Sequence, residues 1–105
     1  MASETVKDAF KKAEEAYKEA TKDYDAKGVA YVPWSIFKTA RLYLHNKGIL
    51  CKCSLVLVEE HYQIAVINGY IGQKYIGTAI LLPEDTEGKA YGKADKCILD
   101  KVKEV

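Results

Sequence analysis

Three cysteines and two histidines are the residues of this 105-residue chain best suited to chemistry, and their spacing limits what they can do. Cys51-Lys52-Cys53 puts two thiols at i and i+2, which on a strand point to the same face. Structural zinc takes four ligands, so Cys97, His45 or His61 would have to complete the set from long range. None of these has a Cys-x-x-Cys or His-x3-His companion. Strand geometry disfavours a Cys51–Cys53 disulfide. Buried cysteine packs as a small hydrophobe, so both are expected to line a core. A thiol- or metal-dependent function through Cys51 and Cys53 is the weakest of three readings.

His45 and His61 each suit general base work, which needs a nucleophile or an orienting carboxylate within hydrogen-bond reach. The sequence names no such partner, and Glu59-Glu60 beside His61 reads as a solvated turn. A nucleophile elbow, a phosphate loop and a dinucleotide fingerprint are all missing from the sequence. Gly69-Tyr70-Ile71-Gly72 has the GxxG of one RNA-binding class, but follows a strand and an Asn-Gly turn instead of joining helices. The expectation is a protein without catalytic residues, metal or cofactor.

Charge distribution gives a more specific lead. No acidic residue lies between Asp25 and Glu59, a stretch that holds Lys27, Lys38, Arg41, His45, Lys47 and Lys52. At 100° per residue, Trp34, Lys38, Arg41 and His45 fall within about 60° of one another on a helix. Ile36, Ala40 and Leu44 take the other side. Arg and Trp are enriched where binding energy concentrates. The leading expectation is a small non-catalytic binding protein (adaptor, inhibitor or regulator) acting through this face, with Tyr31 and Lys52 extending it. Its partner would be a protein with an acidic surface. Basic and aromatic groups also suit phosphates and stacked bases, so a single-stranded nucleic-acid module is the alternative. The structural explanation is that Trp34 folds onto the core edge and the cations pair with helix 1 or the 84–87 loop.

The elements that must position these residues follow from periodicity. Val6, Phe10, Ala13, Tyr17, Ala20 and Tyr24 recur at steps of four and three, which predicts a first helix capped by Ser3 and stopped at Gly28. That face packs on the rest of the fold, or pairs with a second copy. Pro33 to Lys47 predicts a second helix, ended by Gly48, burying Ile36, Phe37, Ala40, Tyr43 and Leu44. Residues 49–58 and 61–67 alternate as strands, Tyr62, Ile64 and Val66 being read as apolar-facing. Asn68-Gly69 predicts a type I′ hairpin. A third strand spans 70–82, with Gly72 and Gly77 marking a bulge or break. Residues 84–88 read as an exposed acidic loop, and a last helix covers 93–104, burying Ala94, Cys97, Ile98 and Val102.

The whole is a single α+β domain over 1–105: two N-terminal helices, a three- to four-stranded antiparallel meander and a C-terminal helix, the helices packed on one sheet face. With 49% apolar and 30% charged residues, the chain can bury one core and does not read as disordered. A net charge of +1 points to no partner by itself. No apolar run approaches the ~18 residues of a membrane span. The odd cysteine count and absent signal pattern favour a cytoplasmic setting. A homodimer through a sheet edge or the first helix is compatible with this pattern.

Overall fold

Pro33 holds φ −62° and ψ 144° immediately ahead of the second helix, the extended geometry of a residue that introduces a helix without donating to it. The computed structural model describes the backbone of residues 2–104 and the side chains of residues 8–98. The elements run α1 (Ala2–Lys27), α2 (Trp34–Asn46), β1 (Leu50–Val58), β2 (Tyr62–Ile71), β3 (Lys74–Leu81) and α3 (Glu87–Glu104). The expected α+β architecture is thus observed, with three strands in the order β1-β2-β3 and both pairings antiparallel. The Ser3 cap and the contacts of Val6 and Val102 lie outside the described side chains.

α2 ends as expected. Gly48 takes φ +80°, and the Gly48 and Ile49 amides donate to the His45 and Leu44 carbonyls at 2.9 and 3.0 Å. A left-handed glycine here satisfies carbonyls that the helix leaves open. Ile36, Phe37, Ala40 and Leu44 are buried, and Tyr43 is half-buried.

The first hairpin turn after β2 is not at Asn68-Gly69. Both residues lie inside β2, paired with Thr78 and Gly77, and the chain reverses at Gly72-Gln73 between Ile71 and Lys74. Gly72 carries the positive φ, +61°, that such a turn requires at its first central position. Gly69 serves a different purpose: a Cβ there would stand 3.0 Å from Ile49 Cγ2 and 3.4 Å from Cys97 Sγ. The glycine lets core side chains approach the sheet backbone. Asn68 Oδ1 accepts from Thr78 Oγ1 at 2.7 Å across the β2–β3 pair.

β2 also turns the opposite face inward. Gln63, Ala65, Ile67 and Gly69 are buried, while Tyr62, Ile64, Val66 and Tyr70 lie on the outer face and are half-buried. Gln63 is tolerated inside because its amide is used. Its Oε1 accepts from the Val32 amide at 3.1 Å, and its Nε2 donates to the Ile64 carbonyl. Its own backbone amide donates to Ala30, which forms a parallel bridge to the start of β2.

The core joins the inner faces of β2 and β3 to α2 and α3, with Ile67, Ile76 and Leu81 against Leu44, Ala90, Ala94 and Cys97. α3 begins six residues earlier than expected. Thr86 precedes it, the Ala90 amide donates to Thr86 O at 2.9 Å, and the Lys89 amide approaches Thr86 Oγ1 at 3.4 Å. The helix therefore starts inside the stretch that reads as a loop, at an N-cap threonine followed by an acid. Asp85 is buried there, not exposed: it accepts from the Leu82 amide at 2.8 Å and pairs with Lys93.

Candidate functional site

The second helix does not present an open basic stripe, because α1 lies along it. Tyr17 is 6% exposed and packs on Trp34 and Phe37, with ring centroids 5.3 and 5.4 Å apart. Phe10 meets the His45 ring edge-on at 6.3 Å, and the Arg41 guanidinium lies over Phe10 and Phe37 at 5.0 and 5.5 Å. Trp34 and Arg41 are half-buried under these rings, whereas Lys38 and His45 remain exposed. Such stacking helps to hold a guanidinium in place, at about 0.5–2 kcal/mol per contact.

The other two expected contributors lie elsewhere. Lys52 projects from the outer face of β1 over the Tyr70 ring, 5.0 Å away. Tyr31 sits in the α1–α2 connection, half-buried, with its hydroxyl donating to Asp25 at 3.1 Å. The six residues therefore do not form one face. Arg41 and His45 are the two that share a cavity.

That cavity, of ≈ 120 Å³, is lined by Phe10, Arg41, His45 and the start of β1. A separate hollow of ≈ 250 Å³ lies between Ala13, Ala16 and Ala20 on one wall and Cys53, Ser54 and Leu55 on the other. Successive residues of α1 thus face successive residues of β1, and the two elements run in the same direction. Tyr17 and Phe37 form the floor. No acidic side chain lines either hollow.

β1 itself is an edge strand of nine residues, with β2 on one side and no strand on the other. Leu50, Val56, Leu57 and Val58 are 58, 41, 45 and 37% exposed. The strand has a single charge, Lys52, and no proline. Natural edges are usually short, charged, kinked or covered. Across the outer sheet face, Val56 pairs with Ile64 and Val66 with Ile80, which is 47% exposed. No helix covers that face among the described residues.

The cysteines depart from the expected shared core. Cys97 is fully buried, Cys51 is half-buried and Cys53 is exposed, because α1 stands off the inner side of β1. Burial pushes the Cys51 thiol up to about 11, with Cys53 adding to it and Arg41 opposing, and Cys53 moves in the same direction. Neither is held as a thiolate at neutral pH. Among the described residues, no three His, Cys, Asp or Glu side chains converge as metal ligands.

Among the described residues, three buried side-chain polar atoms have no hydrogen-bond partner: Tyr17 Oη, Trp34 Nε1 and Arg41 Nε. All belong to the α1–α2 seam. Sequence reasoning picked out Arg41, His45 and Trp34 but missed the two hollows between α1 and β1. Its signals were the alanines on α1 and the charge-free run Leu55–Val58. Comparison with family models, characterised proteins and solved structures finds no match.

Proposed function

We propose that the chain is a small non-catalytic binding protein that receives part of another protein on the β1 side of its sheet. The carrying observation is the nine-residue β1 edge, on which Leu50, Val56, Leu57 and Val58 are exposed while only Cys51 and Leu55 pack against the core. Fully burying a Val or Leu side chain gains about 1.5–3 kcal/mol. A partner covering half-exposed Leu57, Val56 and Val58 would therefore recover a useful part of that for each. Backbone groups along the free edge add direction, since a paired strand satisfies them in order.

Arg41 and His45 supply the electrostatic part of the same reading, favouring a partner with acidic groups. The nucleic-acid alternative is less supported, since a phosphate-tracking face needs convergent cations. Here Arg41 is sandwiched between phenylalanines and Lys52 lies on the opposite side of the sheet. The test is affinity capture from the source cell with the wild-type chain and with Val56→Glu/Leu57→Lys, with and without nuclease. The reading expects nuclease-resistant capture that the double substitution abolishes while the fold persists by circular dichroism. Capture that survives the substitution, or that nuclease removes, would overturn it.

A further inference from the structure

We infer that α1 is a detachable cover: it lifts from α2 as a unit, pivoting at Gly28, and uncovers Trp34, Phe37 and Arg41 while α2, α3 and the sheet stay folded. This motion stands apart from binding at β1, since α1 opens or stays shut whatever the sheet edge captures.

α1 is held along a single line of rings. Phe10, Tyr17 and Tyr24 are spaced seven residues apart. Phe10 meets Arg41 and His45, Tyr17 meets Trp34 and Phe37, and Tyr24 meets Tyr31. Among the described residues, Tyr17 is the one member of α1 in the core cluster. Beside that line α1 stands off β1, leaving the hollows of ≈ 120 and ≈ 250 Å³. Ala13, Ala16 and Ala20 do not fill the larger of them. Side chains that face a hollow forgo the dispersion contacts of a packed interface.

The seam also carries unmet polar groups. Tyr17 Oη, Trp34 Nε1 and Arg41 Nε are buried there without hydrogen-bond partners among the described residues. Water satisfies all three once α1 lifts, so each of them opposes docking. The polar groups on the other side of α2 behave differently, as the enclosed amide of Gln63 is used at both ends.

Both sides of the seam are built to survive its parting. α1 is 26 residues long and carries the surface pairs Lys18–Glu14 and Lys22–Glu19, at 3.5 and 3.1 Å. That length and charge keep it partly helical in water. On the other side, the chain just after Gly28 is fastened to β2. The Ala30 amide donates to the His61 carbonyl at 3.1 Å, and the Gln63 amide donates to the Ala30 carbonyl at 2.8 Å. Val29 and Val32 are buried beside this anchor. Gly28 has φ +71° and open space where a Cβ would stand, so the chain can turn there. The hydrogen bond from Tyr31 to Asp25 ties down the last turn of α1, but it is exposed and exchanges readily for water. Ile36, Ala40 and Leu44 remain in the cluster that α2 shares with β2, β3 and α3.

The test is native-state hydrogen exchange of the full chain, followed by NMR at rising urea. Amides from Ala13 to Tyr24 should exchange through one shared opening. The slowest of them should be protected at least about a hundredfold less than Leu44 and Ile67, with a weaker urea dependence. The double substitution Phe10→Ser/Tyr17→Ser should hold α1 open. Trp34 emission then shifts to the red and becomes quenchable by acrylamide, while the amide shifts of β2, β3 and α3 persist. Equal protection and equal urea dependence across α1, α2 and β2 would mean one cooperative unit and overturn the inference. Unfolding of the whole chain by the double substitution overturns it too, as does a folded double variant whose Trp34 stays shielded.

Discussion

Gln63 and Gly69 show how much of this fold depends on single inward positions of β2. Gln63 is fully enclosed, and it accepts from the Val32 amide, 31 residues away in sequence. Gln63→Leu would keep the volume and strand that amide, so stability should fall by about 1–3 kcal/mol in urea unfolding. An unchanged midpoint would show that the Val32 amide finds another acceptor. Gly69→Ala places a methyl against Ile49, and overpacking of this kind costs about 1–3 kcal/mol. Combined with Ile49→Ala, the loss should be smaller than the sum of the two single losses, since the clash is then relieved. Neither role was legible in the residues. Alternation divides a strand into two faces but does not say which is buried, and Asn-Gly marks a turn equally well whether or not the chain uses it.

At the scale of elements, two junctions decide the arrangement. The corner between β3 and α3 is held by Asp85, which joins the Leu82 amide to Lys93. Burial raises the Asp85 carboxyl, but the Lys93 and Leu82 hydrogen bonds outweigh it and leave its pKa below the ordinary value near 3.8. The folded pKa is thus the lower one, so this contribution is complete at neutral pH and is lost as pH falls below about 4. Asp85→Asn should lower stability at pH 7 and flatten the acid limb of a stability-versus-pH curve. The second junction is α1 on α2. Tyr17→Ala removes the ring stacked on Trp34 and Phe37 and should cost about 3–5 kcal/mol. Trp34 fluorescence should shift to the red in the native baseline, and an unshifted spectrum would mean that α1 does not shield it. The 3.6 period made both helices readable, as it did the Ile36/Phe37/Ala40/Leu44 face. It did not show that α1 would cover the opposite side of α2, because helix pairing depends on the α1–α2 connection and on what the sheet leaves free.

Among the described residues, the core lies on one side of the three-stranded sheet and a largely apolar, uncovered surface on the other. Ile80 is among the most exposed apolar side chains of that face, so its substitution removes little buried contact. Ile80→Lys should therefore change unfolding stability by no more than about 0.5 kcal/mol while raising the concentration at which the protein stays monodisperse by light scattering. A larger loss of stability would place Ile80 in a packed environment instead. The same surface, with the β1 edge, is where a partner has most to gain.

Composition, periodicity and two punctuating residues, Pro33 and Gly48, were enough to determine the class of fold, the order of its elements and the course of α2. These are local properties: each depends on residues within a turn or two of one another. Only the tertiary structure decided which face of β2 is buried, where the β2–β3 hairpin turns, and that α1 lies over Trp34 and Arg41. It also left β1 as an open edge beside a row of alanines. Which face of β2 is buried, and where α1 lies relative to α2 and β1, depend on contacts between segments far apart in sequence, and no short window of sequence contains both partners.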